Sequence, residues 1–229
     1  TLNADGTKVT EYKPGYARPE MVGGKTTDYP PNYRDNNLAG TSVTVRKGDK
    51  PSEQITSTTY PSDYKGRADL RGATVSERTD SGNIIEKKTE YPPTTKMDDV
   101  FRANPALIAK FPDNLNARTA TNVTMIERGG SQMIMASKPN GDKYFFGNYP
   151  NQSPFSAVTD AQGTVKQYSQ NGETFRQDPS DPSKYKKFNG TMTVGDPVGF
   201  TNMKMSPDGT LTYADASGVK TQRLDGTAN

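Results

Sequence analysis

The chain has 229 residues, with 29 Lys and Arg against 26 Asp and Glu and a net charge of +3. It has no His, no Cys and no Trp, which excludes Ser-His-Asp and Cys-His triads, the usual zinc, haem and iron–sulfur sites, and disulfide staples. Only 30% of it is hydrophobic, and Leu, Ile, Val and Phe together number 33, few enough to make disorder a competing expectation, against which the modest net charge argues.

The chain opens Thr1-Leu2-Asn3 without Met, as a processed N-terminus or a trimmed piece of something longer would. A repeat then organises the first half. Tyr-Pro occurs at Tyr29-Pro30, Tyr60-Pro61 and Tyr91-Pro92, 31 residues apart each time, with a second Tyr at Tyr33 and Tyr64. A degenerate copy holds Tyr12 and Tyr16. The segment Leu38-Ala39-Gly40-Thr41-Ser42-Val43-Thr44-Val45-Arg46 parallels Leu70-Arg71-Gly72-Ala73-Thr74-Val75-Ser76-Glu77-Arg78. Each unit predicts two strands and a loop: Thr41–Arg46 with Gln54–Tyr60, and Ala73–Arg78 with Ile84–Tyr91, all rich in Thr, Val and Ile. Pro ends the second strand because it has no N–H to donate. Polar strands of this kind bury little alone, so the units must stack on neighbours.

Residues 96–111 hold the one helical pattern. Met97, Val100 and Phe101 have helical spacing, Asp98-Asp99 suit a first turn, and a second short helix is expected over 106–111 before Pro112. A plug that covers a sheet or joins two halves explains this apolar run better than a partner-binding helix. From Asn122 the β pattern resumes. Strands are expected at 123–127, 132–136, 143–146, 164–168, 173–176, 191–194, 200–205, 210–213 and 219–223, separated by Asx-Gly and Gly-Gly turns. Met133/Met135 and Met203/Met205 alternate as on one buried strand face. The expected fold is all-β, antiparallel hairpin repeats with a short helical insert near residues 96–111. The domains are 1–95 (hairpin repeats of about 31 residues), 96–120 (helical linker or plug) and 121–229 (β-rich).

The residues offer little chemistry. Asp98-Asp99 point different ways on a helix, and Asp178 and Asp181 sit in what reads as a Pro-rich turn, so a carboxylate pair for glycoside hydrolysis lacks support and no enzyme is expected. Asn3-Ala4-Asp5-Gly6, Asp80-Ser81-Gly82-Asn83 and Asn140-Gly141-Asp142 suggest calcium loosely, but Asx-Gly turns explain them and no metal site is expected. Nucleotide-binding glycine loops are missing, and no cofactor is expected. The densest basic clusters, Lys87-Lys88 and Lys184, Lys186 and Lys187, are too sparse for a nucleic-acid partner. No apolar run is long enough to span a membrane. The repeated Tyr loops are the candidate binding surface, through Tyr16, Tyr33 and Tyr64, since aromatic rings give large contact area at low entropic cost.

The segments Asp5-Gly6-Thr7-Lys8-Val9-Thr10-Glu11-Tyr12, Gln162-Gly163-Thr164-Val165-Lys166-Gln167-Tyr168 and Asp208-Gly209-Thr210-Leu211-Thr212-Tyr213 resemble the Gly-then-Tyr hairpins of secreted bacterial β-repeat proteins, of which the YD (Rhs-type) proteins are the best known. The resemblance implies an extracellular, structural or carrier role and no catalytic residues. The thin core adds a motive for assembly, because missing burial can come from neighbouring subunits through strand-edge pairing. The expected function is therefore an extracellular or cell-surface structural protein that self-assembles as a filament, sheath or surface-layer subunit, with copies of itself as partners. The alternative is an adhesin or carbohydrate-binding β module, with glycans as partners of the Tyr loops.

Overall fold

The computed structural model describes residues 2–3, 8–11, 25–28, 42–46, 55–59, 72–80, 83–103, 107 and 117–226. The chain divides into two compact units, Thr1–Pro92 and Pro93–Asn229. Nearly all the described structure is antiparallel β, with one short helix.

The first unit holds β1 (Lys8–Glu11), β2 (Lys25–Asp28), β3 (Ser42–Arg46), β4 (Ile55–Thr59), β5 (Thr74–Asp80) and β6 (Asn83–Glu90). β3 to β6 fall where the repeat predicts strands. β1 lies within the Asp5–Tyr12 segment that resembles a Gly-then-Tyr hairpin, whereas β2, a short Thr-rich segment without apolar alternation, is not predicted by the sequence. The order β1-β2-β5-β6 makes one ladder, and β3 pairs with β4 in a separate hairpin. Register places Glu77 opposite Lys87 and Arg78 opposite Glu86, with Arg78 and Glu86 paired at 3.3 Å, so opposite charges meet across β5–β6. Opposite charges directly across an antiparallel pair favour that register over a slipped one. Ala73, Val75, Thr89 and Tyr91 are the buried residues among those described in this unit.

The second unit begins with helix α1 (Met97–Ala103). Asp98 and Asp99 sit in its positive first turn, and Asp98 pairs with Arg102 one turn on at 2.7 Å. Met97 and Val100 are buried, and Phe101 meets Phe146 edge-to-face at 5.8 Å. Of residues 104–111, only Leu107 lies among those described.

Strands β7 (Thr121–Arg128), β8 (Ser131–Ser137), β9 (Lys143–Gly147), β10 (Phe155–Thr159), β11 (Val165–Gln170), β12 (Glu173–Asp178) and β13 (Asp181–Phe188) form an up-and-down meander. The short β14 (Thr193–Val194) pairs with β13. β15 (Thr201–Met205), β16 (Leu211–Asp215) and β17 (Gly218–Gln222) continue the path. β10 has no counterpart among the strands expected from sequence, two of its five residues being Ser156 and Thr159. The first three residues of β13, Asp181 to Ser183, belong to the segment that the sequence presents as a Pro-rich turn. The register shift between Gln177 and Asp178 accommodates Pro182, so a two-residue turn at Pro179-Ser180 leads straight into an eight-residue strand.

The meander folds back on itself. Lys204 of β15 bridges Thr164, and the Met205 amide donates to the Gly163 carbonyl at 2.8 Å. Ile126, Met133, Phe145, Phe155, Ala157, Val165 and Tyr168 from the early strands meet Met203, Met205, Leu211 and Leu224 from the late ones, with Tyr149 and Tyr185 between. Both Met pairs lie at this core, although Met135 is only partly buried. Tyr and Met make up six of the thirteen core residues. A chain poor in Leu, Ile, Val and Phe therefore builds its core from larger, softer side chains.

Candidate interaction edge

Tyrosine can fill a core only if its hydroxyl is satisfied. All three core tyrosines meet that condition. Tyr149 donates to the Gly209 carbonyl at 3.0 Å, Tyr168 to the Gln170 side chain at 2.9 Å, and Tyr185 to the Val165 carbonyl at 2.7 Å. Burial pushes the hydroxyls of Tyr149 and Tyr168 far above the ordinary tyrosine value, and that of Tyr185 up to about 12. Tyr149, Phe155 and Tyr168 form a stacked row at 4.7 and 5.9 Å. These tyrosines hold structure and are not free to bind. Tyr16, Tyr33 and Tyr64 lie outside the described residues.

The carboxylates singled out by sequence are committed to turns. Asp178 accepts from the Ser180 amide at 2.9 Å and pairs with Lys186 at 3.0 Å. Asp181 accepts from the Ser183 hydroxyl at 2.6 Å and pairs with Lys184 at 3.2 Å. The Ser180 amide, then Lys186, holds Asp178 below the usual carboxylate range, and the Ser183 hydroxyl, then Lys184, does so for Asp181. A general acid needs the opposite shift. Asp215 is likewise lowered, first by the Ser217 hydroxyl. In the Asn140-Gly141-Asp142 turn, Lys166 sits on Asp142 at 2.7 Å, where a cation ligand would have to be free. Of the other two calcium candidates, only Asn3, Asp80 and Asn83 lie among the described residues. No group of three His, Cys, Asp or Glu among the described residues is placed to hold a metal. No helix among them is long and apolar enough to cross a membrane.

What the second unit does offer is a strand edge. β17 pairs with β16 through five consecutive residues, from Leu211 opposite Gln222 to Asp215 opposite Gly218, with no register shift. Among the described residues it has no neighbour on its other side. The ladders β7–β8, β10–β11, β12–β13 and β15–β16 all carry shifts. A bulge twists an edge away from would-be partners, and β17 has none. Its Val219 is 73% exposed, the most exposed large apolar side chain among the described residues of this unit. Lys220 is the single charge on the strand. The sequence predicts this strand at 219–223, but nothing local in it distinguishes an edge strand from a central one.

Compared with protein-family models, curated proteins and solved structures, the chain matches none of them.

Proposed function

We propose that the chain is a structural protein of an extracellular or cell-surface assembly, joined to copies of itself through strand edges. The observation that carries this reading is the straight, unbulged β17 edge with Val219 exposed beside it. An edge of this kind presents unpaired N–H and C=O groups, and pairing with a second chain satisfies them. One lysine on five residues is thin protection compared with the charges, prolines and bulges that usually blunt an edge. The strand-rich composition and its Gly-then-Tyr hairpins support the extracellular setting.

Sedimentation velocity and electron microscopy of the purified chain test it. Concentration-dependent oligomers or fibrils are the expected result, and Val219→Lys should weaken the association roughly tenfold or more, since burial of that side chain is lost and a charge is added. A chain that stays monomeric at every concentration would overturn the proposal.

A further inference from the structure

The sequence contains three Asn-Gly pairs, Asn140-Gly141, Asn171-Gly172 and Asn189-Gly190. All three form turns, yet the structure holds them differently. In the first, the Asn140 amide group donates to Asp142 at 3.0 Å while its oxygen accepts from the Asp142 amide at 3.1 Å. The following Gly141 amide is itself tied to the Lys138 carbonyl at 2.9 Å. In the third, the Asn189 side-chain oxygen accepts from the Thr191 and Met192 amides at 2.9 and 3.0 Å. Asn171 differs from both. It forms the two-residue turn between β11 and β12, with Gln170 opposite Glu173, and both turn residues have positive φ, 54° at Asn171 and 75° at Gly172. Both are exposed. Among the described residues, neither the Asn171 side chain nor the Gly172 amide has a hydrogen-bond partner, and nothing stands within 4 Å of where a Gly172 side chain would begin.

We infer that Asn171-Gly172 is a site of spontaneous backbone-assisted deamidation in the folded chain. The Gly172 nitrogen, losing its proton to solvent base, attacks the Asn171 side-chain carbonyl carbon. The new C–N bond closes a five-membered succinimide and the side-chain nitrogen leaves as ammonia. Water then opens the ring at either carbonyl, giving aspartate or isoaspartate at position 171. No residue need act as catalyst, and solvent supplies the water. At Asn140 and Asn189 the same attack requires breaking the hydrogen bonds that hold the side chain, and at Asn140 also the one that holds the attacking amide.

The product alters the hairpin. A new carboxylate lies two residues from Glu173, which holds Lys187 at 2.6 Å across the β12–β13 ladder. Isoaspartate also adds a main-chain carbon to a turn that has room for two residues. The β11–β12 hairpin therefore carries a slow, one-way chemical clock at its tip.

Peptide mapping by mass spectrometry tests this on the full chain, incubated in mildly alkaline buffer and, in parallel, in denaturing urea. In the folded chain Asn171 should convert roughly tenfold faster than Asn140 or Asn189, the factor that one or two lost hydrogen bonds amount to. In urea the three rates should converge. Conversion of Asn171 no faster than the other two in the folded chain would overturn the inference. So would the same ranking persisting in urea, which would assign the preference to local sequence and not to the fold.

Discussion

The hydroxyl of Tyr149 donates to the carbonyl oxygen of Gly209 across 60 positions of sequence, at 3.0 Å in the core. This bond ties the segment after β9 to the β15–β16 turn, and so closes the late strands over the early ones. Its ring stacks on Phe155 at 4.7 Å. Tyr149→Phe keeps that stack and removes only the donor. It should cost about 1–3 kcal/mol, because a buried carbonyl loses its partner. Urea unfolding followed by circular dichroism measures it, and an unchanged midpoint would show that the bond adds nothing.

Gly209 is constrained twice. Its φ is +82°, and a side chain there would begin 2.8 Å from Leu224 and 2.9 Å from the Met133 sulfur. Gly172 has a similar φ of +75° with open space around it. Gly172→Ala should therefore cost about 1–2 kcal/mol from backbone strain alone. Gly209→Ala should cost that and a further ~1–3 kcal/mol from overpacking. Equal losses for the two variants, measured by thermal or urea unfolding, would contradict the close packing at Leu224.

The buried tyrosines predict alkaline unfolding. Their folded pKa values lie above the unfolded value near 10, so the folded state keeps protons that the unfolded state releases. Stability from this source is whole below about pH 10 and falls as pH rises through the folded values, with Tyr185 titrating at about 12. Twelve tyrosines contribute to the absorbance, so these three are read by difference against their Phe variants, and their tyrosinate should appear only as the circular dichroism is lost. Their tyrosinate appearing near pH 10 with the fold intact would contradict the burial.

At the acid end the sign reverses. Asp178, Asp181 and Asp215 are lowered in the folded state, so their contribution is present above the ordinary carboxylate range and is lost as pH falls below about 4. Lys186→Met removes one of the two strongest lowering influences on Asp178. The variant should be less stable than the parent at neutral pH, and the gap should close as pH falls and Asp178 is protonated in both. Stability curves that stay parallel down to low pH would show that Lys186 acts through packing instead.

The β17 edge yields a prediction that separates folding from assembly. Val219 is largely exposed, so Val219→Lys should leave unfolding within about 0.5 kcal/mol of the parent. The same change should lower self-association. Loss of fold along with loss of assembly would place Val219 in the core of the chain itself.

Much of the fold was legible in the sequence because turns write themselves locally. The Asx-Gly and similar turns at 138–142, 160–164 and 206–210 share one pattern. In each, the glycine amide donates to the carbonyl three residues back, at 2.9, 3.1 and 2.9 Å, and glycine takes the positive φ that other residues resist. Those residues marked where strands end. The Pro-rich segment around Pro182 hides the start of β13 because a proline's meaning depends on whether its missing N–H faces a partner strand, which is a property of the pairing.

The candidate site was less legible. Repetition drew notice to Tyr16, Tyr33 and Tyr64, whereas the feature that emerges is the β17 edge, whose five residues carry no motif. The thin-core argument for assembly also changes: the second unit meets its own needs with Tyr149, Tyr168, Tyr185 and three methionines, so the open edge and not a missing core now motivates self-association.

By itself, then, the sequence determined an all-β chain of hairpins with one helical insert and no histidine or thiol chemistry, since turn residues, strand periodicity and composition are local or additive. Only the tertiary structure decided which tyrosines are core, which carboxylates are tied, which Asn-Gly is free to react and which strand is left at the edge. Each depends on what lies opposite a residue across a ladder or a core, and the partners, such as Gly209 for Tyr149, stand tens of residues away in the chain.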